Sequence, residues 1–105
     1  PVVRGNRIHE GKVGGVFGHT DGRGTYEDND VFANAYAGFE VKTGAHPVVR
    51  GNRISANTHP GIWVHKGGKG TYEHNHIWDN KRGPWRIAVD AGEVTRLGNI
   101  EAAPS

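Results

Sequence analysis

The side chains best able to do chemistry in this sequence are seven histidines and eleven carboxylates, with no cysteine beside them. A disulfide framework and a thiolate metal site are thereby excluded. His74 and His76 stand two apart, and Asp28 and Asp30 hold the same relation 46 positions earlier, with Gly51 and Arg53 midway between. A metal ion needs its ligands ~2.0–2.2 Å away, and residues so interleaved do not converge. No metal and no cofactor is expected. The stretches "DGRG" at 21–24 and "GGKG" at 67–70 lack the strand-to-helix context of a phosphate loop. The second also lacks the aspartate of a calcium-binding nonapeptide. Acid–base cleavage of a glycosidic bond uses paired carboxylates. The nearest constellation, Glu40 with Lys42 and Arg86, holds one, while Asp21 and Asp90 stand isolated among turn residues.

Whatever these residues do depends on what positions them, and the chain states that twice. "PVVRGNRI" occupies 1–8 and again 47–54. Half that interval is also a period: Asn6, Asn29, Asn52 and Asn75 are 23 apart, as are Asn34, Asn57 and Asn80, and Gly15, Gly38 and Gly61. The pattern divides the chain into rows 1–23, 24–46, 47–69 and 70–92, four repeats, and then degrades. Asn99 falls one place late, so 93–105 is expected to be a partial row or a C-terminal cap. Helical repeats and leucine-rich repeats are excluded, because Leu97 is the single leucine and there is no methionine. Short β-branched triplets punctuated by Gly and Asn predict strands and tight turns. A rung of 23 residues with several short strands predicts an all-β parallel β-helix, single-stranded, of about four and a half rungs.

Each rung reads as three strands. Side chains alternate between faces, so Val3, Tyr26, Val49 and Tyr72 are expected inward. After the first Asn column come Ile8, Val31, Ile54, Ile77 and Ile100, and after the glycine column Val16, Phe39, Ile62 and Trp85, followed by Val41, Val64 and Ile87. The two Asn columns are read as side-chain ladders and the glycines as turn residues.

Beside the first core column lies Arg4, Glu27, Arg50, Glu73, Arg96. With rungs ~4.8 Å apart, each charge faces its opposite, and a one-rung slip would oppose like charges. Arg7, Asp30, Arg53 and His76 nearly repeat the scheme. Alternating sign explains why full identity returns only every second rung. These residues are read as a register device, and with the Asn ladders they are the structural residues of the repeat.

Function is sought where rungs differ. The third strand's outward column holds Phe17, Glu40, Trp63 and Arg86, and two residues on come His19, Lys42, His65 and Ala88. Exposed aromatics beside charged groups suit stacking on a sugar or anchoring a peptide, or packing against a neighbouring protomer. Phe17, His19, Glu40, Lys42, Trp63, His65 and Arg86 form the candidate surface. A second set, His9, Phe32, Ser55 and Trp78, has an ambiguous facing and is read as corner packing.

The rungs "PVVRGNRIHEGKVGGVF" and "GTYEDNDVFANAYAGFEVKTG" resemble right-handed β-helix repeats of the carbohydrate-binding and sugar-hydrolase (CASH) type, as found in F-box β-helix proteins and bacterial β-helix proteins. The resemblance covers 1–92 and implies a right-handed parallel β-helix. It transfers no catalytic residue, because none belongs to the repeat, and no ligase role, because no F-box is present. Pro60, Pro84 and the region after Gly92 depart from it. The expected function is a non-catalytic binding or scaffold module for a protein or a glycan. The alternatives are a carbohydrate-active enzyme (lyase, hydrolase or epimerase) or a fragment of one, and a structural spacer. A net charge of +2 with interleaved signs does not point to nucleic acid, and no run reaches the ~18 apolar residues of a membrane span. Uncovered rung ends suggest self-association, or further rungs upstream. Under the charge rule, Arg4 would meet Glu73 of another protomer well and Arg96 badly.

Overall fold

The structure is a computed structural model that describes residues 2–9, 15–18 (backbone alone at 16–18) and 24–101. Its strands are β1 (Val2–Arg4), β2 (Arg7–His9), β3 (Val16–Gly18), β4 (Thr25–Glu27), β5 (Asp30–Phe32), β6 (Phe39–Val41), β7 (Val48–Arg50), β8 (Arg53–Ser55), β9 (Ile62–Val64), β10 (Gly70–Glu73), β11 (His76–Trp78), β12 (Trp85–Ile87) and β13 (Val94–Leu97). They form three parallel sheets: sheet A in the order β1-β4-β7-β10-β13, sheet B as β11-β8-β5-β2, and sheet C as β12-β9-β6-β3. Every third strand is a neighbour, so the chain coils as a parallel β-helix with the period read from the sequence. Val3↔Tyr26 and Tyr26↔Val49 pair in sheet A, Val31↔Ile54 in sheet B and Phe39↔Ile62 in sheet C.

Three-residue strands contribute one central side chain inward on sheets A and B and two flanking side chains on sheet C. Val31, Phe39, Val41, Val49, Ile54, Ile62, Val64, Tyr72 and Ile77 are all buried in one cluster. Burying each stabilises the fold by roughly 1.5–3 kcal/mol. Tyr72 is the largest fully buried side chain, and its hydroxyl donates to the Lys69 carbonyl at 2.8 Å. Burial pushes its phenol well above the usual tyrosine range.

Two amide ladders line the corners. Asn29 Nδ2 donates to Asn52 Oδ1 at 2.9 Å and to the Val3 carbonyl at 3.0 Å. Its own backbone N–H also donates to Asn52 Oδ1. The same bonds recur from Asn52 to Asn75 and from Asn75 to Asn99, and the second ladder runs Asn34, Asn57, Asn80. The amide's two donors and its acceptor oxygen are thus used, which permits Asn29, Asn34, Asn52, Asn57 and Asn75 to sit at under 2% exposure in the interior.

The position before the first Asn ladder is left-handed in every described rung: Gly5, Asp28, Gly51, His74, Gly98. Alternate rungs are glycine for a steric reason. A Cβ at Gly51 would lie 2.8 Å from Asp28 Oδ1, and one at Gly98 would lie 2.6 Å from His74 Nδ1. Each larger side chain lies over the glycine of the next rung. This is a second cause of the 46-residue identity, alongside the alternating charges. The Gly15, Gly38, Gly61 column has another basis. A Cβ at Gly38 would meet Ile54 Cγ2 at 2.6 Å and the Gly61 carbonyl at 2.8 Å, so close approach is what requires glycine there.

The charge column on sheet A is joined by ion pairs through four members. Arg4 pairs with Glu27, and Arg50 bridges Glu27 and Glu73 at 3.4 Å each. Arg53 pairs with Asp30, whose hydrogen bond holds the guanidinium above its usual range. Arg96 does not continue the column. The extra residue before Asn99 shifts β13 by one, so Glu73 pairs with Leu97 and Arg96 lies opposite Tyr72. Its guanidinium sits 5.1 Å over the Trp85 ring. The same shift turns Ile100 outward: it bridges to His76 and is 56% exposed, where an inward side chain was expected. A charge rule for stacking protomers therefore cannot use Arg96, since Leu97 holds that place.

Candidate functional site

The outward face of sheet C gathers most of the candidate surface. Register places Phe17 opposite Glu40, Glu40 opposite Trp63, and Trp63 opposite Arg86. Of Phe17 only the backbone is described, and His19 lies outside the described residues.

Glu40 was expected beside Lys42 and Arg86 as an exposed acid. It is instead buried, and its Oε2 lies 2.9 Å from His65 Nε2, itself 8% exposed. The imidazole of His65 stacks on the Trp63 indole at 4.1 Å with planes 12° apart. Strand alternation puts Trp63 and His65 on the same face two residues apart, so one ring braces the other. Arg86, one rung on, lies 5.4 Å over the Trp63 ring. Trp63 thus sits, half-buried, between an anchored imidazole and the exposed Arg86 guanidinium. Lys42 is half-buried on the same face.

Two further rings join the site from the corner between sheets B and C. Tyr36, 39% exposed, meets His59 edge-on at 4.4 Å and Trp63 at 6.4 Å. The corner is rigid because the buried Asn34, Asn57 and Asn80 ladder runs through it. Strand alternation does not reveal this column, because its residues lie at a corner. The signal was present: Tyr36, His59 and Arg82 are spaced by the period of 23.

The electrostatics differ between faces. Arg4, Arg50 and Arg53 on sheets A and B are held by carboxylates. Lys81, Arg82 and Arg86 are exposed, and none pairs with a carboxylate among the described residues. The strands of sheet C carry one carboxylate, Glu40, and His65 occupies it. The face therefore offers rings and uncompensated cations. No group of three or more His, Asp or Glu able to hold a metal occurs among the described residues.

The second set has a definite facing. Val31, Ile54 and Ile77 point inward, so Phe32, Ser55 and Trp78 point outward on sheet B, each half-buried.

Comparison with known families matches residues 1–98 to the right handed beta helix region. The match is to that region as a whole and singles out no F-box relative. No curated protein and no solved structure matches the chain.

Proposed function

The chain belongs to the right-handed β-helix family, and from that premise we propose that it is a non-catalytic binding module whose recognition surface is the outward face of sheet C. The ligand that best complements this face is an anionic glycan. The observation carrying the reading is the strip of Tyr36, His59 and Trp63, with Arg86 over the Trp63 ring and Arg82 one period after His59, cations that no described carboxylate neutralises. Sugar rings lay apolar C–H faces on aromatic side chains, and guanidinium groups take carboxylate or sulfate oxygens in forked, charge-assisted hydrogen bonds. Rigid β-strands hold these groups at fixed intervals of ~4.8 Å, a spacing that favours an extended, repetitive ligand. Glu40, the carboxylate on the described strands of this face, is held by His65, so the face does not present the carboxylate pair that glycoside hydrolysis of the usual kind uses.

The test is a glycan array carrying uronate, sulfated and neutral oligomers, run beside acidic peptides. Retention on anionic glycans, lost in Trp63→Ala and weakened by salt, supports the reading. Equal retention on neutral glycans, or capture of acidic peptides alone, contradicts it.

A further inference from the structure

The outward column of sheet B contains an interrupted ring ladder. Register aligns His9 with Phe32, Phe32 with Ser55, and Ser55 with Trp78. His9 and Phe32 stack with centroids 4.9 Å apart and planes 8° from parallel. That separation is the rung spacing of ~4.8 Å, so consecutive rungs place flat rings in contact here without adjustment. At the next level the ring is replaced by the hydroxymethyl of Ser55, and at the level after that Trp78 restores it. Phe32 and Trp78 are two steps apart, ~9.6 Å along the axis, and make no ring contact with each other.

The rings on either side are braced. His9 and Arg7 belong to the rung on the far side of Phe32 from Ser55, and the Arg7 guanidinium lies 5.4 Å over the Phe32 ring. His76 lies 4.7 Å from Trp78 within its own rung. The walls of the gap are therefore held in place before anything enters, which lowers the ordering cost of binding.

We propose that Ser55 is the floor of a ligand slot between Phe32 and Trp78, and that the slot takes a small molecule with a planar aromatic ring bearing an N–H or O–H, an indole or a phenol. A flat ring entering at the Ser55 level lies one rung from Phe32, the step at which His9 already stacks on that ring, and one rung from Trp78 on the other side. Contact on both faces of a flat ring requires ~7–8 Å between the flanking rings, at ~3.5–4.0 Å per carbon contact, and two rungs supply that with the offset typical of stacked rings. The Ser55 hydroxyl can donate to or accept from the ring's polar group. Arg53, in the same strand and fixed by Asp30, bounds the slot on its other outward column. This slot is independent of the sheet C surface, which faces another side of the helix.

The test is an amide and indole NMR titration of the whole chain with indole, with cyclohexanol as a puckered-ring control. The expected result is saturable shifts at Phe32, Ser55 and the Trp78 indole N–H, with no comparable response to cyclohexanol. Ser55→Phe should complete the ladder, raising Tm by a few degrees while abolishing the indole response. Phe32→Leu should weaken indole binding about tenfold. Trp63→Ala, which tests the sheet C reading, should leave it unchanged. Lack of saturable shifts in that set, an equal response to cyclohexanol, or a lowered Tm with retained binding in Ser55→Phe would each overturn the proposal.

Discussion

His65 Nε2 lies 2.9 Å from Glu40 Oε2, across two adjacent rungs and 25 residues of chain. Both side chains are almost fully buried, and the Trp63 ring stacks on the imidazole. The pair braces the ring on which the proposed recognition surface is built. Removing the acceptor leaves a buried imidazole nitrogen without its partner, which costs about 1–3 kcal/mol. Glu40→Ala is expected to lose that much stability and to loosen Trp63, seen as a red-shifted tryptophan emission. Glu40→Gln, which can still bond His65, should lose less and leave the emission near its original position.

The amide ladders make a sharper demand on the fold. Asn52 accepts from the Asn29 side chain and backbone and donates to Asn75 and to the Tyr26 carbonyl. Asn52→Leu strands several buried groups at once, each at about 1–3 kcal/mol. Chemical denaturation should show a loss of at least 3 kcal/mol, or failure to fold. A loss below about 1 kcal/mol would show that water or rearrangement replaces the ladder.

Close approach and backbone sign predict different glycine effects. Gly38→Ala drives a Cβ into Ile54 and the Gly61 carbonyl and should cost about 1–3 kcal/mol or more by overpacking. Gly5→Ala has open space but a φ of 66°, so its cost should stay near ~1–2 kcal/mol. Thermal melts of the two variants check the ranking.

The period, the strands, the Asn ladders and most of the core columns were legible because a solenoid repeats one environment; Ile87, expected inward, is instead exposed on β12, the end strand of sheet C, and the side chain of Val16 lies outside what is described. Val49 or Ile54 inherits its facing from Val3 or Ile8, and a single shift serves the whole stack. Legibility failed where that translation breaks. One inserted residue before Asn99 moved Arg96 from the charge column to a place over Trp85, and moved Ile100 outward, because a one-residue slip exchanges the faces of a strand. It also failed for Glu40. A column assigns facing but not cover, and the imidazole that buries this carboxylate comes from the next rung, two positions along. Tyr36 and His59 were overlooked because corner residues follow no strand alternation, although the period marks them.

Alkaline pH offers a test of the core. Burial raises the folded-state pKa of Tyr72 above the value of about 10 expected in the unfolded chain. The folded state then binds more protons than the unfolded one above that pH, so stability is fully present below about pH 10 and declines as pH rises beyond it. Tyr72→Phe removes this titration and gives up the hydrogen bond to Lys69. Its Tm should be lower near neutrality and should fall less steeply between about pH 10 and 12. Parallel slopes for the two proteins would mean that Tyr72 is not sealed in the core.

The binding reading is tested most directly by calorimetric titration of a uronic acid hexamer into the wild-type chain, Trp63→Ala, Arg86→Ala and Arg50→Ala. The first two substitutions remove the stacking ring and its unpaired cation, while Arg50 belongs to the neutralised column of sheet A. Expected are saturable binding by the wild type, a loss of about tenfold or more in affinity in Trp63→Ala and Arg86→Ala, equivalent to ~1.4 kcal/mol, and no change in Arg50→Ala. Absence of binding by the wild type, or equal losses in all three variants, would contradict the binding reading.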